Sequence, residues 1–121
     1  MEKKKTLVLG ASKNPTRYSN LAIKKLREHQ YPVIAIGKRE GMTGDTPIIT
    51  EKKHFDDIDT VTLYLNHANQ ETYYDYILSL HPRRIIFNPG AENAELYELA
   101  LQKGILPLEA CTLVLLSTGQ Y

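Results

Sequence analysis

Short apolar runs alternate with longer amphipathic ones along this chain. The runs Thr6–Leu9, Val33–Ile36, Thr60–Leu65 and Arg84–Phe87 are nearly continuous in Val, Ile, Leu, Thr and aromatic residues. Runs of this length without polar alternation read as strands buried on both faces. Between them, Asn20–Gln30 sets Ala22, Ile23 and Leu26 on one helical face, and Asn69–Leu80 does the same with Tyr73, Ile77 and Leu80. Glu92–Lys103 turns Leu96, Leu99 and Ala100 inward, with Gly104 as its stop. Gly37–Asp45 reads as a Gly-rich charged loop, Ile48-Ile49 as a minor strand and Glu51–Asp57 as a short helical turn. Ile105–Leu108 and Thr112–Leu116 supply the last strands.

Buried strands that each precede an amphipathic helix predict a mainly parallel sheet covered on both faces. Right-handed crossovers make this a doubly wound α/β fold, one domain over residues 1–121. Such sheets collect ligands at the carboxyl ends of their strands, where the strand order reverses. Attention falls on the loops after Leu9, Ile36, Leu65 and Phe87.

Composition narrows the function classes. A formal charge of +1 gives no footprint for nucleic acid or an anionic membrane. The one cysteine, Cys111, allows no internal disulfide and supports no zinc framework, which fits a reducing compartment. The start, Met1-Glu2-Lys3-Lys4-Lys5, is followed by too short an apolar stretch for a signal peptide or a membrane span. The lysines are expected to keep the start of the first strand solvated, and the chain reads as cytoplasmic.

After the first strand, Gly10-Ala11-Ser12 and a turn on Asn14-Pro15 lead to a helix expected to be capped by Ser19. Against the dinucleotide pattern G-x-G-x-x-G, Gly10 is in place, while Ser12 and Pro15 replace the second and third glycines. Ser12 narrows the backbone approach but adds a hydroxyl donor, and Pro15 delays the helix. The result is a wider phosphate-facing cradle from which Lys13 and Arg17 project. Its candidate ligand-facing residues are Gly10, Ala11, Ser12, Lys13, Asn14, Pro15, Arg17, Ser19 and Asn20.

The second strand ends Ile36-Gly37-Lys38-Arg39, where a NAD-binding domain carries a carboxylate for the adenosine ribose. Two cations there suit a phosphate on that ribose, such as the 2′-phosphate of NADP or the 3′-phosphate of coenzyme A. Arg39 offers a bidentate fork and Lys38 a point charge. Charged hydrogen bonds contribute about 1.5–3 kcal/mol each, enough in pairs to select phosphorylated adenosine.

The stretch LGASKNPTRYSN, the apolar helix and YPVIAI together resemble the small stand-alone coenzyme A-binding domain proteins of bacteria. These are similar to the nucleotide-binding domain of the succinyl-CoA ligase α subunit. Gly10, Ala11, Ser12, Asn14, Pro15, Arg17 and Ser19 match the family's first-loop pattern. Gly90, Asn93 and Glu95 match its Gly-x-x-Asn-x-Glu helix start, and Cys111 matches its late cysteine. The resemblance implies a Rossmann-like single domain that binds coenzyme A. The chain departs from the family at Ile36–Arg39, where Val-Asn-Pro is common, and at Glu109-Ala110, where a basic residue usually precedes the cysteine.

No catalytic constellation emerges. His67 follows a strand's carboxyl end but has no orienting partner in the sequence. His29, His54 and His81 are scattered, and Ser12 lacks the nucleophile-elbow context. Tyr73, Tyr74 and Tyr76 crowd one helix, where they serve either packing or a homodimer surface. Three readings stay open. The first is a non-enzymatic coenzyme A or acyl-CoA module, with Gly37, Lys38 and Arg39 at the ribose phosphate and His67, Asn88, Pro89 and Gly90 beside the pantetheine. The second is an interaction protein with a vestigial nucleotide site and an unknown partner. The third is a small NADP-dependent reductase.

Overall fold

A computed structural model describes residues 3–121; Met1 and Glu2 lie outside the described residues. Four strands follow the buried runs: β1 (Thr6–Leu9), β2 (Val33–Ile36), and, beyond the hairpin β3 (Gly41–Thr43) and β4 (Thr46–Ile49), β5 (Thr60–Leu63) and β6 (Arg84–Phe87). With β7 (Leu106–Glu109) they form one sheet in the order β3-β4-β2-β1-β5-β6-β7. Every neighbouring pair is parallel except β3 with β4. This is the α/β, Rossmann-like single domain that the pattern predicts. The chain leaves β1 on one side for β2 and returns on the other for β5, so the strand order reverses at β1.

Side-chain alternation divides the core into two layers. Leu7, Leu9, Val61, Leu63, Ile85 and Phe87 face α3 (Tyr74–Ser79) and α4 (Ala94–Gln102), meeting Ile77, Leu80, Leu96 and Ala100. Val8, Ala35 and Ile86 face the opposite way, toward Ile23 and Leu26 of α1 (Tyr18–Glu28) and Leu116 of α5 (Thr112–Ser117). Strands β1 and β5 are buried along their whole length because helices cover both of their faces.

Four elements differ from expectation, each for a physical reason. Thr112–Leu116 is helical, not a strand. A short apolar run carries no decisive period, and Thr112 and Leu116 turn inward while Val114 faces solvent. Glu51–Asp57 forms no helical turn; Lys52 donates to the Thr72 carbonyl at 2.6 Å, and the Lys53 carbonyl accepts from the Tyr76 hydroxyl at 2.5 Å. The loop Gly37–Asp45 contains β3, closed onto β4 by Gly44-Asp45 with Gly44 at φ 59°.

The segment Asn69–Leu80 is not one helix. It is α2 (His67–Gln70), a 3₁₀ turn (Glu71–Tyr73) and α3. Its three tyrosines are half-buried and engaged within the chain. The Tyr74 hydroxyl accepts from Asn93 at 2.7 Å, Tyr76 holds Lys53, and Lys52 stands over the Tyr73 ring. At the amino end of the sheet, Lys3 lies over Tyr31, Lys4 over Tyr121, and Lys5 pairs with Asp57 at 3.0 Å. The lysines thus contact aromatic and acidic neighbours as well as solvent.

Helix and strand make different predictions for the last segment. In a strand, Val114 and Leu116 would share a face; in α5 they do not. Leu116→Ala should cost about 2–5 kcal/mol and Val114→Ala less than about 0.5 kcal/mol, read from urea unfolding. A second expectation concerns pH. Burial, with Tyr73 adding to it, pushes the Tyr76 phenol up to about 12. A raised folded-state pKa contributes stability below the unfolded value near 10, lost as pH rises through the folded one. The midpoint of thermal unfolding should fall between about pH 10 and 12, and by less in Tyr76→Phe.

Candidate functional site

The carboxyl ends of β1, β5 and β6 and the loop after β2 open into a cleft of about 1070 Å³ at the strand-order reversal. This lies at the upper end of the roughly 300–1,000 Å³ usual for small-molecule sites. A side chamber of about 170 Å³ adjoins it, lined by Gly37, Thr72 and Tyr73 and sharing Gly10, Lys38, Leu65 and Asn69 with the cleft.

Two glycines set the floor. Gly10 has φ 94°, and a Cβ there would lie 2.9 Å from the Tyr64 carbonyl carbon and oxygen. A Cβ on Gly37 would lie 2.2 Å from the Ala11 carbonyl oxygen. That approach lets the Ile36 carbonyl accept from both Gly10 and Ala11 N–H at 2.9 Å. The first loop is therefore folded over the end of β2, and these two amides are already used.

The next residues form a turn. The Asn14 side-chain oxygen accepts from the Thr16 amide and hydroxyl at 3.0 and 2.8 Å, and the Asn14 carbonyl accepts from Arg17 N–H at 3.1 Å. Pro15 suits the second place of such a turn. The turn ends at Arg17, so α1 begins at Tyr18, two residues earlier than expected, and Arg17 rather than Ser19 is its N-cap. Arg17 makes no capping hydrogen bond, no acidic residue occupies the first turn, and Ser19 is buried inside it.

The N–H groups of Ser12, Lys13, Tyr18 and Ser19 have no acceptor among the described residues. The Ser12 oxygen accepts from Asn14 N–H at 3.1 Å, which leaves its hydroxyl hydrogen to donate outward. Unpaired helix N-terminal amides facing a cleft favour an anion. Lys13, Arg17, Lys38 and Arg39 line the same cleft, all exposed and none ion-paired among the described residues.

Three expected site residues stand behind the cleft surface or beside it. Asn20 is buried and donates to the Ser12 carbonyl at 2.9 Å and to Thr43 Oγ1 at 3.2 Å, tying the loop to β3. Asn88 is buried beneath the floor; its Nδ2 donates to Thr62 Oγ1 and the Leu63 carbonyl, and its Oδ1 accepts from Thr112 N–H. His67 is exposed outside the lining, beside Glu71 and Glu95, with their donor atoms within 4.8 Å of one another. Pro89 and Gly90 do line the cleft, while Cys111 does not.

Sequence reasoning missed Tyr18, Tyr64, Leu65, Asn66, Asn69 and Ala91 in the lining. A signal existed for two of them: Asn66 caps α2 by accepting from Asn69 N–H at 3.0 Å, and Asn is a preferred capping residue. The Tyr64 hydroxyl is turned into the protein, and burial raises its pKa well above the usual phenol value. The rest of the residue forms part of the cleft wall.

Fold and cleft together define a doubly wound, Rossmann-like α/β domain with a cleft where its strand order reverses. The family described as CoA binding domain matches residues 4–117, and the chain belongs to it. A crystal structure of an uncharacterized protein is 46% identical over the full length of both chains, with a TM-score of 0.96. A Thermus thermophilus protein, cell-free ID.343, is 21% identical over 98% of this chain and 91% of its own, with a TM-score of 0.85. A hypothetical protein from Pyrococcus horikoshii OT3 is 22% identical over 93% and 80%, with a TM-score of 0.83. The latter two likenesses concern the fold. Among curated proteins none matches the sequence. Among the described residues no helix is long and apolar enough to cross a membrane.

The contact between Gly37 and the first loop is open to test. Gly37→Ala should destabilise by about 1–3 kcal/mol, because the new methyl would meet the main chain of Ala11, which cannot swing aside. Gly41→Ala, which would meet only the side chain of Lys13, should cost less in the same denaturant titration.

Proposed function

We propose that this chain is a non-enzymatic module that binds coenzyme A or an acyl-CoA, with the diphosphate on the loop after β1. The observation that carries this reading is the uncapped start of α1. Its free amides at Tyr18 and Ser19 and those at Ser12 and Lys13 share one cleft with four unpaired cations. Ser12 and Ser19 are thus assigned to the diphosphate, with Lys13 and Arg17 neutralising its charge. Gly10 and Ala11 serve by shaping the loop, since their amides bond to Ile36.

Lys38 and Arg39 stand at the mouth on the β2 side, where the adenosine ribose lies in doubly wound domains, and are assigned to its 3′-phosphate. The remaining arm runs toward Asn66, Asn69, Pro89 and Gly90 on the far wall. That wall carries amides and main chain but no buried acid or base. A carrier, a sensor of acyl-CoA or a subunit serving a partner enzyme fits that equipment better than a reductase does. Metal and nucleophile roles are assigned to none of these residues.

The test is a thermal-shift series with coenzyme A, acetyl-CoA, dephospho-coenzyme A, NADP and NAD. At a hundred times its dissociation constant a ligand stabilises by about 2.7 kcal/mol, a shift of several degrees for a domain of this size. Coenzyme A should shift the midpoint more than dephospho-coenzyme A. In the double variant Lys38→Glu, Arg39→Glu that difference should vanish. A larger shift with NADP than with coenzyme A, or none with any of the five, would overturn the assignment.

A further inference from the structure

A buried side chain that does not touch the cleft holds its far wall together. Gln70, at the carboxyl end of α2, is fully buried. Its Nε2 donates to the Leu65 carbonyl at 2.8 Å and to the Ala91 carbonyl at 2.7 Å. Leu65 belongs to the loop after β5 and Ala91 to the loop after β6, and both residues line the cleft. One amide group thus uses both of its hydrogens to clamp two separate loops. A neutral amide is the side chain that can donate twice and accept at the same time.

The acceptor side is also occupied. Gln70 Oε1 accepts from Asn93 Nδ2 at 2.9 Å, and the same Nδ2 donates to the Tyr74 hydroxyl at 2.7 Å. Asn93 Oδ1 accepts from Leu96 N–H at 3.1 Å and so caps α4. The chain of bonds runs from the Leu65 and Ala91 carbonyls through Gln70 and Asn93 to Tyr74. None of these last three lines the cleft. Leaving the buried Ala91 carbonyl and the half-buried Leu65 carbonyl unpaired would free the loops to move apart, since an acceptor shielded from water without a donor is costly.

We infer that Gln70, supported by Asn93 and Tyr74, is a positioning residue. It sets the separation of the Leu65–Asn66 and Pro89–Ala91 walls and thereby the affinity for the part of the ligand beyond the diphosphate. This rests on the coenzyme A reading above. The nucleotide half is assigned to the α1 start and Lys38-Arg39, to which Gln70, Asn93 and Tyr74 make no hydrogen bond among the described residues.

The experiment compares coenzyme A with adenosine 3′,5′-bisphosphate, which lacks the pantetheine arm, by calorimetric titration of the full chain. Gln70→Met keeps the volume and removes the clamp. It should weaken coenzyme A at least tenfold and leave the bisphosphate within twofold. Tyr74→Phe, half-buried at the outer end of the network, covers the case in which Gln70→Met does not fold, and should weaken coenzyme A alone by two- to fivefold. An equal loss for both ligands would make the network a general stabiliser and overturn the inference, as would unchanged binding of both. If the unaltered chain binds the bisphosphate but gains nothing from the longer coenzyme A, the inference fails while the nucleotide assignment survives. If it binds neither, the coenzyme A reading fails and takes the inference with it.

Discussion

The first loop, and with it the near side of the cleft, depends on one carbonyl. Ile36 ends β2, and its oxygen accepts from two successive amides, Gly10 and Ala11, at the end of β1. The bonds require the first loop to lie almost on the backbone of Gly37, at a distance no side chain would leave open. They turn the chain sharply after Leu9, direct Ser12 and Lys13 outward, and bring the start of α1 to the mouth of the cleft. Lys38 and Arg39 follow directly, so the same contact puts the basic pair beside the loop that carries the free amides.

Asparagine and glutamine complete what the glycines begin. Asn20 ties the first loop to β3, Asn88 joins β6 to β5 and to the start of α5, and Gln70 with Asn93 joins the two loops on the far side. Each is buried, and each spends its amide on main chain or on another fixed polar group. Irregular backbone next to a cavity leaves carbonyls and amides without regular partners, and neutral amide side chains satisfy them without the desolvation cost of a charge. The cleft keeps its charges at its outer surface, where Lys13, Arg17, Lys38 and Arg39 are exposed and form no ion pair among the described residues.

The division between groups that line the cleft and groups that support it could not be read in one dimension. Asn20 and Asn88 were candidates for the ligand because each stands in or next to a loop that faces it. In the fold both side chains turn inward. Ser19 was the expected cap by residue type, but the Asn14–Arg17 turn takes up the chain before it and moves the helix start back by two residues. Gln70 gave no signal at all, since a polar residue in an amphipathic segment ordinarily faces solvent. The break of that segment into α2, a 3₁₀ turn and α3 is what points it inward.

The four buried strands and the α/β alternation were legible because burial on both faces demands apolar runs, whatever their neighbours. The first loop and the basic pair after β2 were legible too, since Gly, Pro and paired cations act locally. What only the tertiary structure decided was the state of short ambiguous segments and the use of each polar group. Thr112–Leu116 has no period strong enough to choose between helix and strand, and α5 forms because its inward face packs beside α1. The direction of an amide side chain depends on which unpaired acceptors the fold brings within reach, and one partner of each amide lies twenty or more residues away: Thr43 for Asn20, Ala91 for Gln70 and Leu63 for Asn88.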